Sequence, residues 1–243
     1  MSKPGMVLLH GVGLDHTVWE PVAELLADRY TVITPDLPGH GARPPAPAGT
    51  TLADLSEGVV GEIPPGSHLV GFSLGALVAQ YLALHRPGLA ATLTSVSSVC
   101  RRTEAERAAV LSRLQTAQTD FEASTAASIG RWYEGTEVGP EWVRRTREML
   151  AGNDIDSFVH CYHVFATADA ELAPALGGIT VPALAVTGAQ DPGSTPEMTH
   201  RLASALPDCR EVIIPNARHM LPVERPRDLV DAITTFIGEH VHV

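Results

Sequence analysis

An α/β fold, a doubly wound and mainly parallel sheet of about six strands with an inserted helical cap, is predicted for this 243-residue chain from three observations. Apolar runs of strand length recur along it: Met6 to Leu9, Tyr30 to Thr34, His68 to Phe72, Ala91 to Val96, Ala183 to Thr187 and Glu211 to Ile214. Most of these runs are continuous rather than alternating, which is the pattern of strands covered on both faces. Helical patterns separate them, as parallel strands require.

The elements follow in order. The first strand, Met6 to Leu9, runs into the glycine-containing loop His10-Gly11-Val12-Gly13, and the second, Tyr30 to Thr34, into Asp36-Leu37-Pro38-Gly39-His40-Gly41. The proline-rich stretch after Arg43 is too short for a linker between domains and reads as an extended surface loop. After the third strand, Leu74, Leu77, Val78, Tyr81 and Leu82 form an i, i+3, i+4, i+7, i+8 stripe that predicts a helix starting at Ser73 and ending before Pro87. From 101 to 176 the chain shows helical patterns such as Glu104 to Thr116 and no convincing strand, so it is expected to be a helical cap inserted between core segments 1–100 and 177–243.

Composition narrows the function. Hydrophobic residues make up 44% and charged residues 19%, the range of a foldable globular chain. The net charge of −11, with no Lys/Arg run, argues against nucleic acid as a partner. No stretch approaches the roughly 18 to 20 apolar residues that cross a bilayer, so no membrane association is expected. Met1 to Gly5 lead straight into the first strand without a basic, apolar leader, which makes the cytoplasm the expected location. Cys100, Cys161 and Cys209 are widely spaced and odd in number, as suits reduced packing thiols. Neither G-x-x-x-x-G-K-S/T nor G-x-G-x-x-G occurs, and His160 and His163 lack a third ligand, so neither cofactor nor metal is expected. The expected partner is a small-molecule substrate; self-association into a homo-oligomer is compatible with the sequence but not dictated by it.

Gly71-Phe72-Ser73-Leu74-Gly75 is a G-x-S-x-G motif set between a strand and a helix, the context in which such a serine acts as a nucleophile. Glycines two residues either side let strand and helix approach while the hydroxyl points outward. A serine is a weak nucleophile near neutral pH and needs a histidine base, itself held in one tautomer by an acid. The run from Ala183 delivers Asp191 just beyond a strand, and the run from Glu211 delivers His219 in the same way. Residues placed after parallel strands converge on one edge of the sheet, so Ser73, Asp191 and His219 form the candidate triad. Asp169 and Asp154 are alternative acids that follow no strand. Backbone N–H groups of Val12 and Leu74 are the candidate oxyanion donors, and His10 is expected to buttress its loop.

With these residues in place the chain resembles the α/β-hydrolase superfamily over nearly its whole length. Asp36-Leu37-Pro38-Gly39-His40-Gly41 is similar to the superfamily's D-x-R-G-H-G loop, with Pro38 where arginine is usual, and Gly75-Ala76 replaces a common Gly-Gly pair. The resemblance implies a fold trimmed to about six strands, because the first loop comes only ten residues into the sequence. Within the superfamily the chain is most similar to 3-oxoadipate enol-lactonases and related small hydrolases, through His10 to His16, Arg131-Trp132-Tyr133, Asp191 to Pro196 and His219 to Glu224. That likeness implies hydrolysis of a small ester or enol-lactone through an acyl-serine. The C–C hydrolases of meta-cleavage products are also similar, but commonly carry tryptophan where this chain has Met220. A cofactor-free perhydrolase or haloperoxidase and a non-catalytic receptor of the same fold are the other readings.

Specificity is expected from the cap. Trp132, Arg131, Tyr133 and Met220 are the candidate substrate-binding residues, with Phe158, Tyr162 and Phe165 as further aromatic candidates. Arg131, Arg144, Arg145 and Arg147 make the cap locally basic within an acidic chain, which suits a carboxylated substrate.

Overall fold

A computed structural model describes residues 3–240. Its six strands are β1 (Gly5–Leu9), β2 (Thr31–Ile33), β3 (Ser67–Phe72), β4 (Ala90–Val96), β5 (Ala183–Gly188) and β6 (Cys209–Ile214). They form one sheet in the order β2-β1-β3-β4-β5-β6, and every neighbouring pair is parallel. Each apolar run of the sequence has become a strand, with ends displaced by a residue or two. The order reverses between β1 and β3, so the loops after these two strands diverge and leave a crevice at the carboxyl edge.

The helices are α1 (Glu20–Leu26), α2 (Leu52–Val60), α3 (Leu74–His85), α4 (Glu104–Thr119), α5 (Phe121–Tyr133), α6 (Pro140–Ala151), α7 (Ile155–Leu172), α8 (Pro196–Ala205), α9 (Leu221–Glu224) and α10 (Pro226–His240). α1 packs on α10, while α2 packs on α3. The stripe read from the sequence understates α3, which is buried on nearly every side because α2 and α7 enclose what the sheet leaves open. Its one buried amide, Gln80, is satisfied by donating to Ser95 and Ser98 hydroxyls at 3.1 and 3.0 Å.

Between β4 and β5 the described chain forms α4 to α7 and no strand. Side chains set the ends of these helices: a capping box of Thr103 and Glu106 starts α4, Asp120 starts α5, Pro140 opens α6 and Asp154 starts α7. Side-chain bonds fasten this layer to the core and to the segment that enters it from β4. Ser157 donates to Gly39 O at 2.9 Å and accepts from Ala46 N at 2.8 Å, so the proline-rich loop is anchored to α7. Arg102 donates to Asp169 at 2.7 Å, with both side chains almost fully buried, and to Phe165 O at 3.1 Å. Asp154 and Asp169 are therefore occupied as a helix cap and an ion-pair partner. Burial pushes the Cys100 thiol up to about 11 and the Cys161 thiol up to about 12, as expected of packing groups.

No helix among the described residues is long and apolar enough to cross a membrane. His160 is hydrogen-bonded to Ala46 O at 2.9 Å through Nδ1.

Candidate active site

Ser73 sits between the end of β3 and the start of α3 with φ 54° and ψ −111°, a left-handed conformation that ordinary L-residues avoid. Its flanking glycines explain how the turn is possible. A Cβ on Gly71 would collide with the backbone of Gly75 and Ala76, and one on Gly75 with the carbonyls of Leu9 and His10. Strand β1, strand β3 and helix α3 thus meet backbone to backbone. The Ser73 N–H is held by Val96 O at 2.9 Å, which ties the turn to β4.

Asp191 and His219 arrive from β5 and β6. Asp191 Oδ2 lies 2.7 Å from His219 Nδ1, and its side chain is fully buried. Oδ1 accepts from Gly193 N and Ser194 N, both at 2.9 Å. An ionised carboxylate can only accept, so this bond puts the His219 proton on Nδ1 and leaves Nε2 with a lone pair. The histidine loop is held at three further points: Ser97 Oγ donates to His219 O at 3.1 Å, Arg218 N to Glu224 at 2.8 Å and Gln190 N to Ala217 O at 2.8 Å. Burial raises the Glu224 carboxyl, against the Arg218 amide and the Arg225 and Arg218 charges. No hydrogen bond joins Ser73 Oγ to His219; the two side chains face the same cavity. Such bonds often tighten only when substrate arrives.

Val12 lines that cavity, and Leu74 is the first residue of α3. Neither N–H is hydrogen-bonded to another described residue, so both are free for an external acceptor. His10 does the buttressing expected of it: Nδ1 donates to Gly11 O at 2.8 Å and Nε2 accepts from Leu37 N at 2.9 Å, joining the loops after β1 and β2. Burial holds its pKa below the ordinary histidine value. His40 packs edge-on against it at 5.1 Å, with its pKa pushed down to about 3 by burial.

The cavity has Ser73, Asp191 and His219 in its walls. Four cap helices complete it, through Arg113 of α4, Ser128 and Trp132 of α5, Leu150 of α6, and Phe158 and Phe165 of α7. Trp132 stacks on the His219 ring at 5.6 Å and 21°, while Phe72 covers the same imidazole at 5.1 Å. Arg131 also lines the wall and donates to Ser128 Oγ at 2.8 Å. Burial, followed by repulsion from Arg113, lowers its pKa.

Two of the expected pocket residues lie elsewhere. Tyr133 follows Trp132 by about 100° around the helix and is buried toward α6, its hydroxyl 2.7 Å from Thr146 Oγ1. Met220 is fully buried in the core at the start of α9 and lines no part of the cavity. The other cap arginines expected to hold an anion lie outside the cavity: Arg144 pairs with Glu141 and Glu148, each at 2.6 Å, Arg145 pairs with Glu20 at 2.8 Å, and Arg147 is exposed on α6. Arg113 went unnoticed in the sequence, where an arginine in a polar helix looks like solvated surface. The available signal was α5, in which Ser124, Ser128 and Arg131 recur at i, i+4 and i+7 as one polar face.

Comparison with known proteins agrees with this architecture. The pattern of the Alpha/beta hydrolase family matches residues 6–232. An (E)-2-((N-methylformamido)methylene)succinate hydrolase of Acinetobacter baylyi is 30% identical over 239 residues, covering 96% of this chain and 89% of its own. A pimeloyl-(acyl-carrier protein) methyl ester esterase of Aeromonas hydrophila is 30% identical over 243 residues, covering 97% and 96% respectively. Among solved structures, the enol-lactonase from Burkholderia xenovorans LB400 matches with a TM-score of 0.87 and 26% identity, over 98% of this chain and 92% of that one.

Proposed function

The chain belongs to the alpha/beta hydrolase family, and on that premise we propose that it is a serine hydrolase that cleaves a small ester or enol-lactone through an acyl-serine intermediate. The observation that carries this reading is the buried Asp191–His219 pair facing one cavity with Ser73 on its strained turn. The curated methyl ester esterase and the enol-lactonase structure support the ester-bond class.

In this mechanism His219 Nε2 takes the Ser73 hydroxyl proton as Oγ attacks the substrate carbonyl. Asp191 keeps the imidazole in the required tautomer and stabilises the imidazolium that forms. The oxyanion is held by the N–H groups of Val12 and Leu74, the latter at the positive end of the α3 dipole. His219 returns the proton to the leaving alkoxide or enolate, and a water activated by the same base releases the acid. Within the cavity Trp132 and Arg131 shape the acyl site, and Arg131 holds an anionic acyl group.

Ser73→Ala tests the reading most directly. We expect it to lose about 10⁴- to 10⁶-fold in turnover with an unchanged melting temperature, and to escape labelling by a fluorophosphonate that modifies the wild type. Wild-type hydrolysis should be found among small methyl esters and enol-lactones. Cleavage of vinylogous diketones alone would reassign it to C–C bond hydrolysis, and peroxide-dependent halogenation alone to the perhydrolases.

A further inference from the structure

Arg113 and Arg131 stand apart from their neighbours. Arg102 and Arg107 share Asp169, Arg144 bridges two glutamates, and Arg145 pairs with Glu20. Arg113 and Arg131, on α4 and α5, both line the cavity above Ser73, and neither has a carboxylate partner among the described residues. The Arg131 guanidinium spends one N–H on Ser128 Oγ, whose own proton goes to Ser124 O at 2.9 Å. Both residues are half-buried. They repel one another, and burial aggravates that repulsion. The single acid in the same walls, Asp191, is already committed to His219 and two backbone amides. Two guanidiniums without a carboxylate partner among the described residues therefore line a cavity whose walls also carry the rings of Trp132, Phe158, Tyr162 and Phe165.

We propose that Arg113 and Arg131 are a two-point anchor for a dicarboxylate, so that the substrate is an ester or lactone whose acyl portion carries two further anionic groups, one for each guanidinium. The inference rests on the hydrolase reading for the form of the substrate, while the anchor itself is a binding property that needs no turnover. A planar guanidinium offers a carboxylate two parallel N–H donors, and a charged hydrogen bond withdrawn from water is worth enough to separate a dianion from a monoanion by about 10- to 100-fold in affinity. Arg113 is then a specificity-determining residue alongside Arg131.

Equilibrium titration of the whole wild-type protein with succinate, glutarate and the mono-amide succinamate, followed by calorimetry, tests the anchor directly. At least one diacid should bind about tenfold or more tightly than succinamate. Arg113→Gln and Arg131→Gln should each bring the diacid down to the succinamate level, and Arg113→Lys should recover part of the difference by restoring charge without the fork. Melting temperatures of these variants show that each remains folded. Equal binding of diacid and mono-amide, no binding of either diacid, or a diacid preference that survives Arg113→Gln would overturn the proposal. Fluorophosphonate labelling of Ser73 is scored separately, so a hydrolase without a diacid anchor is distinguished from an anchor on a chain that does not hydrolyse.

Discussion

The carboxyl edge of the sheet and the helical layer from α4 to α7 build one cavity by opposite means. At the sheet edge each functional residue is held through main-chain groups: the Ser73 N–H by Val96 O, the Asp191 carboxylate by two backbone amides, and the His219 carbonyl by the Ser97 hydroxyl. In the helical layer the cavity-facing groups are side chains on amphipathic helices, with freedom limited mainly by packing, as with Trp132 and Phe158. The first arrangement suits chemistry that fails when atoms are misplaced by an ångström. The second suits recognition, where a change of side chain changes the ligand without disturbing the reacting atoms. The layers touch where Trp132 lies on the His219 ring.

Substitutions can break or sharpen this contrast. The largest expected effect is at the sheet edge: Asp191→Asn should preserve packing but lower kcat by about 10⁴-fold, because an amide favours the wrong imidazole tautomer. Survival of activity within a factor of two would move the acid elsewhere. Next comes the tether of the helical layer. Asp169→Asn leaves Arg102 buried without its counter-charge and should cost about 3–5 kcal/mol of stability, read from denaturant unfolding. A smaller loss would show that the Arg102–Asp169 pair contributes little to fastening the helices. Trp132→Leu should reduce kcat/KM by about 3- to 10-fold through loss of the stack on His219. A rate within error of the wild type would separate the two layers functionally. Tyr133→Phe should have the least effect, costing about 0.5–1.5 kcal/mol of stability through the lost bond to Thr146 and leaving kcat/KM unaltered. A threefold or larger kinetic change would put Tyr133 back in the pocket.

The same contrast accounts for what the sequence disclosed. Each triad candidate follows a strand, and strands announce themselves as local apolar runs, so the sequence alone places Ser73, Asp191 and His219 on one edge. The segment after β4 was also legible as helical, through patterns such as Glu104 to Thr116 and the lack of a convincing strand. The facing of its helices was not. Trp132 and Tyr133 are adjacent in sequence and chemically alike, and only the docking of α5 on α4 and α6 decides which one reaches His219. Met220 follows the histidine directly, yet the turn into α9 carries its side chain into the core. Arg113 and Arg145 look equivalent on their helices; a distant Glu20 neutralises one, and no carboxylate among the described residues neutralises the other.

The backbone at Ser73 has a consequence for how such a chain can change over time. A non-glycine residue held at φ 54° destabilises the fold by about 1–3 kcal/mol, a sizeable share of the 5–15 kcal/mol that a domain typically has. Glycine would adopt this turn without strain, so drift toward greater robustness favours erasing the hydroxyl. Natural selection for the reaction and selection for a sturdy molecule therefore pull this single position in opposite directions, and a descendant relieved of its chemical duty would be free to relax there first.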